Sequence, residues 1–591
     1  MYHHRISENQ RRNIMNKMIT TFFLTVIVAL CWVPGSSMAQ TSSDTLYVSA
    51  MPPGNINNVI AGDTTTTGAR KDPHRVYVLQ QTGKVDTTYF FTATINMLDN
   101  FSGLTLTIIG KDNPNTGMPP VIEPFILSDN STPAPFVECR TGNISVDNLY
   151  FLGKRTDGLI SSGNNRFFDG TPVHSWLRIN HCVFDEFTKE SDAIISYGGD
   201  SNSFYIKNTE FRNLQDRAFW QPTVIFAEAA DTLQLINDTY FGIGIGIWGN
   251  DNLGYFDFEH NTMVGCAWWP FRIYQVDTAV ISDNIFYATY AGGLDSASIN
   301  YGGLGNESPS VISLDSLFQF ASPPYNETEA GRHIVVDNNA YFWPKGIDST
   351  IAAMDDTAKN KIVPPAWMNS QTKAMFSNKT AWPGLSEANN DSVDPGFSPS
   401  IVNPMIASLD SFTVARWNGS VSTSPLWRQF ITNPADVFGP VAKNWASIQG
   451  YPVPENLAYS NVTLQTAGQG NYALGDLNWY PAQLKEWEAG QTVNAVKQIK
   501  PEIPAQFSLS QNYPNPFNPS TEIKVSLARP GNMSLTIYNV LGQVVDVVDQ
   551  GYKPAGTYTY NVNMDKYTSG VYFYSLHEGS NLLTRKMLLL K

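Results

Sequence analysis

The ten residues CAWWPFRIYQ (266–275) hold the densest set of side chains suited to recognising a sugar: Trp268, Trp269, Phe271, Arg272 and Tyr274. Flat aromatic faces stack on sugar rings and a guanidinium pairs with a carboxylate, so this composition suits a carbohydrate, an acidic one included. Neighbouring side chains of a strand face opposite sides, so Trp268 and Trp269 cannot both enter one core. One of them is expected to face solvent or a groove, and Trp220 with Arg217, and Trp248, would extend that surface. The competing expectation is that these aromatics pack beneath long loops at 345–445.

Acid–base chemistry is less clearly marked. Asp257 and Glu259 share a strand face that His260 does not, and Lys207 sits beside a turn, so spacing alone makes no catalytic set of them. Asp355 and Asp356 lie in an ordinary polar loop. The chain has no EF-hand, zinc or CxxC spacing, so no cofactor is evident, although scattered loop aspartates can hold calcium. Cys139, Cys182 and Cys266 are expected to be buried and unpaired, with one disulfide plus a spare thiol as the alternative.

The elements that must position such residues are written as a repeat. A six-residue block recurs as VDNLYF (146–151), INHCVF (179–184), IKNTEF (206–211), INDTYF (236–241), EHNTMV (259–264), ISDNIF (281–286) and VDNNAY (336–341). Its sixth column reads Phe151, Phe184, Phe211, Phe241, Val264, Phe286 and Tyr341; its third reads Asn148, His181, Asn208, Asp238, Asn261, Asp283 and Asn338. One short strand, one turn and one aromatic per repeat predict a solenoid of stacked strands. Equivalent side chains of neighbouring coils then lie about 4.8 Å apart, so the aromatic column becomes a buried stack. The Asn/Asp column becomes a ladder of left-handed turns. The last interval, Phe286 to Tyr341, leaves room for two turns or an insertion.

This pattern resembles the right-handed parallel β-helix of the pectin-lyase-like superfamily over residues 45–345, with LTLTIIG (104–110) and PPVIE (119–123) as an early coil. The resemblance implies an all-β solenoid that meets extended polysaccharide along a sheet face. Lyases of that shape use a basic side chain against an acidified sugar proton, and hydrolases use paired carboxylates. SWLRINHCVF (175–184) is similar to the tryptophan–aspartate–histidine strand of pectate lyases, but Asn180 stands where the aspartate belongs. The arginine–proline–arginine element of that family is missing, as are the polygalacturonase motifs. The catalytic residues therefore stay open.

The chain's end is a separate unit. QNYPNPFNPST (511–521) leads into alternating runs such as SLTIYNV (534–540) and VYFYSL (571–576), which predict a small β-sandwich. This segment closely resembles the type A C-terminal sorting domain of bacterial type IX secretion. The match lies in Asn512, Pro514, Asn515, Pro516, Phe517, Asn518 and Pro519, the turn at Gly542, Gly570, Lys586 and the terminal Lys591. The resemblance implies the type IX machinery as a partner, and release or attachment at the cell surface. At the other end, Lys17 and the apolar run 19–33 before Ser37-Met38-Ala39 predict a signal peptide cleaved after Ala39, with the true start at Met15 or Met18.

The expected organisation is therefore a signal peptide (1–39), a β-helix (40–485) with an irregular part at 345–445, a linker (486–506) and a sorting sandwich (507–591). A stretch such as 471–481 would close the solenoid's end, because open strand edges invite stacking with another copy. With 52 acidic against 38 basic residues, a formal charge of −14 and no basic run beyond the leader, nucleic acid is excluded as a partner. No segment beyond the leader is long and apolar enough for an integral membrane protein. The expected function is binding of extracellular polysaccharide, with or without cleavage; the alternative is a non-catalytic adhesin or structural protein.

Overall fold

The computed structural model describes residues 45–80, 87–153, 166–185, 194–214, 222–226, 228–249, 251–266, 269–273, 275–290, 310–314, 329–345, 364–403, 456–493, 507–527, 531–553, 556–578 and 581–591. The leader, Arg217, Trp220, Trp268, Tyr274 and Asp355-Asp356 lie outside them.

Three long parallel sheets, of eleven, ten and seven strands among the described residues, and a two-stranded one, Ser310–Ile312 with Ala366–Met368, wind round one core from Thr45 to Ser392. Each coil contributes one strand to the eleven-stranded sheet, turns, adds a short strand to the ten-stranded sheet and then crosses to the seven-stranded one. Thus Asn143–Asp147 leads to Tyr150–Leu152, then to Phe168–Gly170, and back to Trp176–Asn180 beside Asn143–Asp147. The strands form because their apolar residues alternate. In the eleven-stranded sheet Ile144, Leu177, Phe204, Leu233 and Phe256 share one inner column and Val146, Ile179, Ile206, Leu235 and Phe258 the next. The early coil is present as Thr105–Lys111 and Val121–Pro124.

The turn after each strand of the eleven-stranded sheet is left-handed. Asn148, His181, Asn208, Asn237, His260, Asp283, Asn338 and Asn389 take φ between 49° and 60°, a region that Asn, Asp and His tolerate better than most side chains. This corrects the sequence register in two coils, where Asn237 and His260 replace Asp238 and Asn261 in the turn column. Register likewise puts Tyr240 and Met263, not Phe241 and Val264, in the inner aromatic column. Phe151, Phe184, Phe211 and Tyr240 stack nearly parallel, with centroids 4.7, 5.2 and 5.2 Å apart. Phe241 and Val264 face outward, as a one-residue slip demands.

Asp238 and Asn261 instead begin a second, buried ladder one position on. The Thr209 N–H donates to Asp238 Oδ1, Asp238 N–H to Asn261 Oδ1 and Asn261 N–H to Asn284 Oδ1, each at 2.8 Å. Asn284 and Asn339 continue it to Asn390. The long interval before Tyr341 is an insertion within one coil, because Phe286 pairs directly with Tyr341. The irregular part holds a further coil, Leu385–Ala388 and Asp391–Ser392, and the helix Ser370–Ser377.

Residues 471–481 do not lie across the solenoid's end. They belong to a strap, 456–493, that runs along its flank. Asn478 Nδ2 donates to the Asn237 carbonyl, Asp476 N–H to Thr262 Oγ1 and Gly475 N–H to the Asp283 carbonyl, three successive coils. The strap is drawn there by apolar residues on the outside of the ten-stranded sheet: Phe241, Val264, Ile285 and Tyr287 pack with Leu457, Tyr459, Leu474 and Leu477. It ends in the helix Pro481–Val493, so the first residues of the expected linker are helical. The three cysteines are buried and free.

The C-terminal unit is a sandwich of antiparallel sheets. One sheet holds Ser508–Leu509, Ser520–Leu527 and Gly556–Asn563; the other, in order, holds Val544–Lys553, Gly531–Tyr538, Gly570–Glu578 and Asn581–Leu589. Ile523, Val525 and Leu527 alternate inward from the first sheet to meet Leu535, Ile537, Tyr574 and Leu576 of the second.

Candidate functional site: the outer face of the long sheet

Of the aromatic cluster first expected to hold a sugar, Trp269, Phe271 and Arg272 are described, and Phe271 points into the core against Phe256, Phe258 and Phe286. Trp269 and Arg272 come together with Trp248 outside the seven-stranded sheet: the guanidinium lies 4.2 Å from the Trp248 ring centre and 5.6 Å from that of Trp269. All three are 7–8 % exposed, so little of either indole face is open to a ligand.

A second aromatic–cation set, dispersed in the sequence, is assembled by coil stacking on the outer face of the eleven-stranded sheet. Strand Trp176–Asn180 presents Trp176, Arg178 and Asn180; the next, Asn202–Lys207, presents Ser203, Tyr205 and Lys207 in register. Then come Thr232 and Gln234, then Tyr255, Asp257 and Glu259. The Arg178 guanidinium lies 4.3 Å from the Trp176 ring centre and 5.6 Å from that of Tyr205. Gln234 Nε2 donates to Asp257 Oδ2 at 2.9 Å. Most of these side chains are half-buried, the condition in which a shallow groove offers both polar tips and desolvated surfaces.

Burial pushes Arg178 and Lys207 below their usual ranges, although the Asp257, Glu259 and Asp238 carboxylates pull Lys207 back. It pushes Asp257 up against the opposing Gln234 hydrogen bond and Lys207 charge. Glu259 is raised by burial and then by the neighbouring charges of Asp257 and Asp283. The cations thus occupy two coils with Trp176 and Tyr205, and Gln234, Asp257 and Glu259 the next two beside Tyr255. Such a stripe can stack a sugar ring, pair with its carboxylate and hydrogen-bond its hydroxyls. Asn180, at the place of the lyase aspartate, is a structural rung: it donates to Asp147 Oδ1 and accepts from Asn208 Nδ2.

Spacing could not assemble this set, since its members come from four coils. Asp257 and Glu259 do share a face, as expected, but their partners Lys207 and Gln234 come from earlier coils. Beside them, donor atoms of Glu259, His260 and Asp283 lie within 4.8 Å of one another, the grouping among the described residues that suits a metal ion.

In the sandwich, the proline-rich segment is fastened to the last strand. Asn515 Oδ1 accepts from Leu588 N–H, the Phe517 N–H donates to the Leu588 carbonyl, and Phe517 is buried. Asn512 Nδ2 donates to the Pro514 carbonyl and to Thr521 Oγ1. Pro514 and Pro516 follow cis peptide bonds, and Asn518 and Pro519 lead into strand Ser520–Leu527, Pro519 accepting from Met564 N–H. Gly542, φ 76°, closes the turn that Asn539 Oδ1 caps by accepting from Leu541 and Gln543 N–H. Gly570 opens a strand opposite Leu589, the Lys586 carbonyl accepts from Gln511, and Lys591 N–H donates to Ser569.

Residues 511–590 match the family of the secretion system C-terminal sorting domain. No curated protein and no solved structure matches the chain. The chain thus carries a type IX sorting signal, its partner is the secretion machinery, and it is exported to the cell surface or extracellular space. No helix among the described residues is long and apolar enough to cross a membrane.

Proposed function

We propose that this is a secreted glycan-binding protein that holds an extended, carboxylate-bearing polysaccharide along the outer face of its eleven-stranded sheet. The observation that carries the reading is Arg178 stacked on Trp176 and within reach of Tyr205, on a half-open face that continues into Lys207, Gln234, Asp257 and Glu259. A chain running along the solenoid axis meets a new coil about every 4.8 Å, so successive sugars meet successive rows. Sugar carboxylates pair with Arg178 and Lys207; hydroxyls bond to Gln234 and Asp257.

The test is affinity electrophoresis of the exported chain through gels containing acidic or neutral polysaccharides, with and without calcium, while reducing ends and unsaturated products are followed. Retardation by an acidic polysaccharide is expected. Trp176→Ala and Arg178→Ala should each weaken it about tenfold or more, stacking and charged hydrogen bonds each contributing roughly 1–3 kcal/mol. Equal mobility in every gel would contradict the proposal and favour a structural role. New reducing ends or unsaturated products would add cleavage to binding.

A further inference from the structure

The left-handed turn column holds Asn in five of its eight described positions, and one place where it departs from Asn in two adjacent coils is His260 followed by Asp283. Both are completely buried. Neither ring nitrogen of His260 nor Asp283 Oδ2 closes a hydrogen bond of good geometry, although the Ala473 and Gly475 backbone and the Asn338 side chain lie close by. Yet His260 Nε2 and Asp283 Oδ2 face each other at 3.6 Å, too far for a good hydrogen bond. Two ligands of a tetrahedral zinc, each about 2.1 Å from the ion, stand about 3.4 Å apart. Glu259, one residue before His260 and half-buried, brings a third donor into the same 4.8 Å group.

The surroundings are those of a held site. Asp283 Oδ1 is oriented by Gln469 N–H at 3.0 Å, and the carbonyl of Asp283 accepts from Gly475 N–H at 2.7 Å. Carbonyls of Ala473 and Gly475 lie beside the His260 ring, where they favour a ring N–H directed at them, the usual outer partner of a metal-bound imidazole. Trp487 of the strap helix meets the same ring edge-on at 5.4 Å and excludes water from one side. Asn338, the next turn residue, stands by Asp283 on the other.

We infer that His260, Asp283 and Glu259 bind one divalent transition cation, zinc being the best fit, and that the ion orders the part of the solenoid on which the strap 456–493 seats. One imidazole and two carboxylates suit zinc and its neighbours, whereas calcium takes six to eight oxygens. Two donors about 2.1 Å from one ion can be at most about 4.2 Å apart, so a group that spans up to 4.8 Å must tighten for the third ligand to close. The ion removes the cost of burying an unpaired imidazole beside an unpaired carboxyl oxygen. It also holds His260 and Asp283 in place beneath Gln469, Gly475 and Trp487 of the strap.

The test uses the whole exported chain, stripped with chelator, dialysed against zinc and analysed for metal content, with thermal melting and limited proteolysis alongside. One zinc per chain is expected, with a raised melting temperature and protection of the strap; calcium should produce neither effect. His260→Asn is the informative variant, because asparagine already fills this turn position in other coils and so keeps the fold. It should weaken zinc binding at least about 100-fold, since losing an outer partner alone costs 10–100-fold. Asp283→Asn should act in the same direction. No stoichiometric zinc, or His260→Asn binding as tightly as the parent chain, would overturn the inference.

Discussion

At the scale of single residues, the buried ladder contains one member of the wrong chemical type. Asn261, Asn284 and Asn339 each accept from a backbone N–H through Oδ1 and donate through Nδ2 to a carbonyl, that of Leu235, Phe258 and Ile281. Register makes Ile206 the equivalent carbonyl for Asp238, whose Oδ2 is buried without a partner. A carboxylate there faces a carbonyl oxygen, so burial pushes Asp238 well above the usual carboxylate range, helped by the nearby Asp476 charge and opposed by Lys207. Asp476, equally buried, is raised to about 7. An acid whose folded value is raised favours the native state only while protonated. The stability that Asp476 contributes is therefore largest below about pH 4 and declines as pH rises to about 7, and Asp238 acts in the same direction. Asp238→Asn should raise stability at pH 8 by roughly 1–3 kcal/mol and change little at pH 4, measured by denaturant melts at both pH values.

At the scale of elements, aromatic columns hold the coils and the strap seals one flank. Phe184 lies between Phe151 and Phe211 in the stack, so Phe184→Ala should cost about 3–5 kcal/mol, read from the unfolding midpoint. Thr239 Oγ1 donates to Asp476 Oδ2 and accepts from Trp479 Nε1 beneath the strap. Thr239→Val leaves both unpaired there and should speed proteolysis within 456–493 before it affects the solenoid core. The strap also explains what the sequence concealed. Elsewhere the period-two alternation makes strand register plain, as in Thr105–Lys111. Where the strap covers the ten-stranded sheet, both faces are apolar: Tyr240 points in and Phe241 out, Met263 in and Val264 out. Either residue then suits an aromatic column, and a polar neighbour suits the turn in both registers. Nothing local in 235–241 or 258–264 reports a covering segment more than two hundred residues away.

At the scale of the whole molecule, the chain divides into an address that is contiguous and a binding face that is not. The sorting sandwich was legible because Asn512–Pro519 and the final strand are short, distinctive segments that pair directly with each other. Deleting 507–591 should abolish surface delivery in a type IX-competent host and trap the solenoid behind the outer membrane, as cell fractionation would report. The binding face was legible only in part. Asp257 and Glu259 are two residues apart, but Trp176, Arg178, Tyr205, Lys207 and Gln234 meet them only because coils of 23 to 29 residues bring them into register. Conversely, the dense 266–275 cluster drew attention by proximity in sequence, while Trp269 and Arg272 are packed against Trp248 and Phe271 lies in the core.

The central claim is that polysaccharide lies along the outer face of the eleven-stranded sheet. Hydroxyl-radical footprinting of the exported chain, with and without the acidic polysaccharide that retards it most, measures this residue by residue. The expected result is protection of Trp176, Tyr205 and Tyr255, with Tyr513, largely exposed on the sorting sandwich, unchanged. Protection confined to other surfaces, or none at a saturating concentration, would contradict the account.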